Sequence, residues 1–214
     1  MPWRWRDWHQ SRATKADCFR VRGGEDFLKL SVIEPVSKCS EKGEDTYLGS
    51  HPVAKAFLTA RKPFPVSYAT LPYFGVNTFR FIDSKGVVTH GRYQILPVDG
   101  AHYLSDAKAA KAAPDYLQSE IRVRVSRAPV RFRLMLQIAQ SGDKLDDPSE
   151  VWSSDHRTVE LGTISITKAA DDGLAAERQL MFLPNALPPG TEVEDPMFNA
   201  RSGAYPISFA RRQQ

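Results

Sequence analysis

The chain ends in Asp195-Pro-Met-Phe-Asn-Ala-Arg-Ser-Gly-Ala-Tyr-Pro-Ile-Ser-Phe-Ala-Arg-Arg-Gln-Gln214, and this run governs the reading of everything before it. It opens with a helix start. Asp195 can accept from first-turn N–H groups, and Pro196 suits the first helical position, where a missing N–H has no intrahelical partner anyway. Arg201 and Tyr205 lie four apart and share a helix face. A guanidinium beside a phenol favours the phenolate, because an opposite charge stabilises the ionised form. A phenolate is a hard anionic oxygen able to bind ferric iron, and tyrosinate is one known proximal ligand of haem. Arg212 follows two turns later on the same face, where its fork matches a carboxylate such as a haem propionate. Alone, an Arg-x-x-x-Tyr pair is a weak sign, since on most helices it is an Arg packed along a ring.

The longer context is more specific. Asp195 to Pro206 resembles the proximal haem helix of the catalase superfamily, above all that of the small catalase-related haem peroxidases. The resemblance implies Tyr205 as the axial tyrosinate and metal ligand, Arg201 as its catalytic partner, and Arg212 as a propionate-binding residue. Met197 joins the implied cofactor contacts. Leu180-Met-Phe-Leu-Pro-Asn-Ala-Leu-Pro-Pro-Gly190 is similar to the family segment that brings a Phe against the haem, here Phe182. Tyr68-Ala-Thr-Leu-Pro-Tyr-Phe-Gly-Val-Asn-Thr-Phe-Arg-Phe81, Gly91-Arg-Tyr93, Pro114-Asp-Tyr-Leu117, Pro129-Val-Arg-Phe-Arg-Leu134 and Val159-Glu-Leu-Gly162 resemble further family stretches, in the family's order.

Two features of the family, its distal His and its distal Asn, have no clear counterpart. The resemblance implies an N-terminal stretch of the type Arg-x-x-His-Ala-Lys-Gly that supplies a distal His. His9, His51, His90, His102 and His156 all lie in other contexts, and each reads as a surface or partly packed imidazole. His51, between Ser50 and Pro52, sits at a helix start, and His90 falls in a strand beside Gly91. The first residues, Met1-Pro-Trp-Arg-Trp-Arg-Asp-Trp-His9, mix Trp with Arg and carry no helical or strand period. Residues 1–18 are therefore set apart as an irregular tail, such as a frameshift or misplaced start codon would produce, and residues 19–214 as a partial catalase-like domain. A surface anchor is the other reading of the Arg/Trp run. No apolar stretch follows these basic residues, so a signal peptide is not expected.

Composition sets wider bounds. At 214 residues, 42% hydrophobic and 25% charged, the chain suits one soluble domain. No run approaches the roughly 18 apolar residues of a membrane span. The net charge of +4 would tolerate nucleic acid, but Arg122, Arg124, Arg131 and Arg133 alternate with apolar positions as solvated strand and helix faces do, so no nucleic-acid partner is expected. Cys18 and Cys39 form no metal-spaced cluster. The compartment stays open between cytoplasm and periplasm, and a homo-oligomer is compatible with the sequence.

The coarse pattern is α+β. Residues 76–82 and 87–96 are β-rich and flank the polar turn Asp83-Ser-Lys-Gly86, a hairpin signal. Residues 130–140 alternate, with Val130, Phe132, Leu134, Leu136 and Ile138 on one face and Arg131, Arg133 and Gln137 on the other. Residues 161–168 form a fourth strand. Residues 105–112, opened by a capping Ser105, and 114–125 are helical, while 142–154 reads as an exposed polar loop. The resemblance makes these four strands the second half of a catalase-like antiparallel barrel, with flanking helices and a C-terminal proximal haem helix. It implies a haem-dependent oxidoreductase acting on hydrogen peroxide, with a small organic reductant as a second partner. Without a distal His the expected activity of this chain is weak. The alternative is a catalase-like scaffold that binds haem or another hydrophobic ligand without peroxide chemistry.

Overall fold

A computed structural model describes residues 62–214, together with residues 49, 50, 52, 55, 59 and 60. The Arg/Trp-rich tail, both cysteines, His9 and His51 lie outside the described residues. In chain order the elements are a 3-10 turn at Tyr68–Thr70, β1 (Tyr73–Phe74), β2 (Phe79–Ile82), β3 (Val88–Pro97), α1 (Asp106–Ala109), α2 (Tyr116–Arg127), β4 (Val130–Ile138), β5 (Thr158–Ile166), α3 (Gly173–Gln179), β6 (Thr191–Val193) and α4 (Met197–Arg212).

The β2–β3 hairpin forms for the reason its turn suggests. The Asp83 carboxylate accepts the backbone N–H groups of Lys85 and Val87, each at 2.8 Å. Gly86 takes φ +79°, a conformation that glycine adopts without steric cost. β4 then pairs antiparallel with β3, and β5 with β4. Two short strands escape the sequence pattern: β1 lies along β3, and β6 along β2. The result is one antiparallel sheet in the order β5-β4-β3-β2-β6, with β1 beside β3. Among the described residues the sheet is not closed.

The apolar stripes of the strands meet on one face. Val130 and Phe132 of β4 are buried there with Val125 of α2 and Ala69 of the 3-10 turn, and Ile95, Ile121 and Ile164 pack against them. At the β2 end the cover comes from α4. Phe198 is 3% exposed and meets Phe79 edge-on at 5.1 Å between ring centres, while Phe79 meets Tyr93 at 5.0 Å. Burial of an aromatic of this size contributes roughly 1.5–3 kcal/mol, so Phe198 fixes where α4 sits on the sheet.

One expected helix is shorter than its sequence suggests, and one helix is new. The 105–112 stretch is helical only over α1, and the Ser105 hydroxyl makes no capping bond. None of its residues is buried, and propensity without a packed face rarely sustains a short helix. α3 was not legible in the sequence. It is capped by Asp172, whose carboxylate accepts from Leu174 and Ala175 at 3.0 Å each.

The 142–154 loop overturns the expectation of an exposed linker. It folds over the opposite face of the sheet. Trp152 is 5% exposed and lies under the guanidinium of Arg92, 4.1 Å from its ring centre. Arg92, itself buried, donates to the carbonyls of Glu150, Asp147 and Lys144 at 2.6, 3.1 and 3.3 Å. Gln137 is correspondingly buried rather than solvated and donates to Ser153 O at 2.8 Å. The loop has no hydrophobic period because side-chain donors from the sheet, not a regular ladder, satisfy its carbonyls.

Candidate functional site

The C-terminal helix begins one residue later than its sequence suggests. Pro196 has helical backbone angles but precedes the first turn. Asp195 still caps it, because its carboxylate accepts the Met197 N–H at 2.8 Å. The other oxygen of that carboxylate receives the side-chain amide of Asn77, and both residues are buried. Asn77 lies just before β2, so this contact ties the helix start to the sheet.

Arg201 follows on the same stripe as Met197, one turn further. One of its terminal nitrogens donates to the Asn77 side-chain carbonyl at 2.7 Å, and the other to the Tyr205 hydroxyl oxygen at 2.8 Å. The fork geometry of a guanidinium makes both bonds at once. A continuous line of hydrogen bonds therefore runs from the helix N-terminus through Asp195, Asn77 and Arg201 to the Tyr205 oxygen. The Arg201 guanidinium also lies 5.5 Å from the Tyr205 ring centre and 6.0 Å from that of Phe198. Arg201 and Tyr205 are half-buried. Pro206 follows inside the helix, and its missing N–H leaves the Ser202 carbonyl without its usual partner. The Ser202 hydroxyl is buried with no hydrogen-bond partner.

Other phenols in the fold have a different setting. Burial raises the pKa of Tyr68, Tyr73, Tyr93 and Tyr116, that of Tyr73 to about 12. Tyr73 and Tyr116 donate their hydroxyls to the carbonyls of Tyr68 and Pro65 at 2.9 and 2.6 Å. These are neutral donors. Tyr205 instead receives a charged N–H on its oxygen, the polarity that suits an oxygen ligand to a hard cation such as ferric iron.

The remaining predicted residues divide. Arg212 donates to the Leu180 carbonyl at 2.5 Å and to the Ser208 hydroxyl at 3.0 Å, which docks the 180–183 segment on the end of α4. Phe182 on that segment is 67% exposed, and Leu180 and Met181 are exposed with it. Met197, Arg201 and Tyr205 thus form one stripe, while Phe182 faces solvent. Asn77 is a site residue that the sequence did not single out. Among the described residues, no group of three or more His, Cys, Asp or Glu side chains could hold a metal ion. Each described histidine has a partner. His90 meets Glu194 at 3.3 Å, His102 the Asp99 carbonyl at 2.8 Å, and buried His156 the Asp143 carboxylate at 2.8 Å. Among the described residues no helix is long and apolar enough to cross a membrane.

Comparison with known proteins agrees with this architecture. The family described as Catalase matches residues 49–213. A catalase-related peroxidase of Synechococcus elongatus is 34% identical over 158 residues, covering 73% of this chain and 46% of that protein. A catalase-related peroxidase of Mycolicibacterium paratuberculosis is 33% identical over 171 residues, covering 78% and 54%. The chain thus spans about half the length of the curated relatives it matches. Among solved structures, a fungal catalase superposes with a TM-score of 0.62 at 21% identity, over 69% of this chain and 32% of that one. Catalase A from Saccharomyces cerevisiae gives 0.61 at 19%, over 69% and 33%. The fold is catalase-like.

Proposed function

Because this chain belongs to the catalase family, we propose that it carries the haem-holding side of a catalase- or peroxidase-type oxidoreductase that acts on hydrogen peroxide. The observation that carries the proposal is the Arg201 bond to the Tyr205 oxygen, set in place by Asn77 and Asp195. The residues present fit a ferric haem. Tyr205 would ligate the iron through its oxygen, Arg212 would pair with a propionate, and Met197 and Phe182 would contact the macrocycle. The exposed Phe182 ring and the half-exposed Tyr205 face are both accessible to such a group. When bound, ferric haem supplies the two-electron redox chemistry by which peroxide is cleaved and a second peroxide or small organic reductant is oxidised.

The chain's own residues have a defined part in this. Arg201 stabilises negative charge on the Tyr205 oxygen, and a strongly donating anionic ligand is a recognised lever on haem iron. Asn77 and Asp195 keep the guanidinium from turning away, as the outer partners of metal ligands do. In a titration of the full chain with haemin, a tyrosinate-ligated high-spin ferric spectrum is expected. Tyr205→Phe should abolish it. Arg201→Ala should weaken haemin binding by about 10–100-fold.

A specific observation favours a second reading. Positioned acid–base catalysis is worth about a hundred- to ten-thousand-fold, and His90, His102 and His156 are each held by another group. On this reading the chain binds haem as a scaffold and turns over little peroxide. Oxygen evolution from hydrogen peroxide by the haemin-loaded chain separates the two. Turnover within about tenfold of a full-length relative supports the enzyme, and turnover at the level of free haemin supports the scaffold.

A further inference from the structure

Successive residues of a strand point to opposite faces of the sheet. Asn77 and Phe79 point towards α4, where Asn77 bonds Asp195 and Arg201 and Phe79 meets Phe198. Thr78, between them, points to the outer face. It is fully buried there, and its hydroxyl accepts the Nε–H of Arg92 at 3.1 Å. The Thr78 carbonyl accepts the Glu194 N–H at 3.2 Å, and Glu194 immediately precedes Asp195, which caps α4. Residues 77 and 78 are thus held by α4, by the stretch that leads into α4, and by Arg92. The Arg92 guanidinium is itself fixed. Its terminal nitrogens donate to the carbonyls of Lys144, Asp147 and Glu150, and the Trp152 ring centre lies 4.1 Å away. A rigid planar fork held at its end also has the direction of its Nε–H set. Through that bond the 142–154 loop bears on Thr78.

We infer that Arg92 is a positioning residue for the Arg201–Tyr205 pair, acting through Thr78 and Asn77 from the opposite face of the sheet. Without the Arg92 bond, Thr78 loses its anchor on the loop side. The neighbouring Asn77 amide then has room to turn, and it is the Asn77 carbonyl that holds one arm of the Arg201 guanidinium at 2.7 Å. Hydrogen bonds weaken steeply as they bend, and a fork makes its two bonds together. A small turn of Asn77 therefore loosens the second arm, the 2.8 Å bond to the Tyr205 oxygen. The consequence for haem binding rests on the function proposed above, whereas the chain of contacts from Arg92 to Tyr205 does not.

Carbon-13 NMR of the full, haem-free chain labelled at tyrosine Cζ tests this. The Tyr205 resonance is identified by its loss in Tyr205→Phe, and Arg201→Ala shows where it moves when the guanidinium is gone. Thr78→Val, which keeps the branched side chain and removes the hydroxyl, should move it the same way. Arg92→Lys, which keeps the charge and removes the fork, should do so too, and it decides the matter if Thr78→Val does not fold. Thr78→Ser, which keeps the hydroxyl, should leave the resonance in place. So should Val125→Ala, which lowers stability in the separate cluster around Phe132. With haemin added, Thr78→Val should weaken binding about tenfold and Thr78→Ser should not. A Tyr205 resonance that stays in place in both Thr78→Val and Arg92→Lys overturns the inference. An equal shift in Val125→Ala overturns it as well, since the effect would then be general loss of stability. A resonance that moves as expected in a chain that takes up no haemin supports the inference and sinks the haem reading instead.

Discussion

Asn77 is the residue on which the site turns. It is 6% exposed and joins Arg201 to Asp195. Removing one partner of a buried polar pair exposes the others to the full cost of burial without a bond, about 1–3 kcal/mol. Asn77→Ala should therefore lower the urea midpoint and loosen haemin binding together. Asn77→Asp should do more harm than Asn77→Ala, because it sets a second carboxylate against Asp195. Equal midpoints for the two variants would show that the Asp195 contact is unimportant. The Arg201–Tyr205 pair was legible because helical spacing is local. Asn77 was not, since it meets Arg201 across 124 residues of chain and nothing in Val-Asn-Thr marks it as a partner.

At the scale of elements, the loop over the outer face depends on Arg92. Its guanidinium supplies the donors for the carbonyls of Lys144, Asp147 and Glu150 and stacks on Trp152. Arg92→Leu should raise amide exchange through residues 143–156 and leave β4 protected, as a locally opening unit would. Loss of protection in β4 at the same time would mean that loop and sheet open as one. Gly91 makes a second prediction. A Cβ there would fall 2.8 Å from a Leu136 side-chain carbon and 2.9 Å from the Gln137 carbonyl, and overpacking of this kind typically costs about 1–3 kcal/mol. Gly91→Ala should lower the thermal midpoint accordingly. Periodicity and turn chemistry sufficed for β2 to β5, because each repeats an apolar face or closes on Asp83 and Gly86. They could not reveal β6, which is too short for a period, or the loop, whose carbonyls are bonded by buried side chains, Arg92 and Gln137 from the sheet among them.

For the whole molecule, four tyrosines with raised pKa values carry a pH dependence. The unfolded chain ionises its phenols near 10.0, whereas Tyr73 in the fold holds its proton to about 12. Between those values the folded state binds more protons than the unfolded one, so stability falls as pH rises. It is fully present below pH 10. Thermal midpoints should decline from pH 10 toward 12, and a flat profile would contradict the burial assigned to these phenols. The catalase-like sheet and its C-terminal helix were legible together because many short stretches occur in one order. The sheet edges left open among the described residues gave no such local mark. The account rests above all on Tyr205 as the haem ligand, and the most direct test is the absorption spectrum of haemin-loaded Tyr205→Phe beside that of the unaltered chain. The account predicts a tyrosinate-type ferric spectrum in the unaltered chain that is absent from the variant. The same spectrum in both proteins would contradict it.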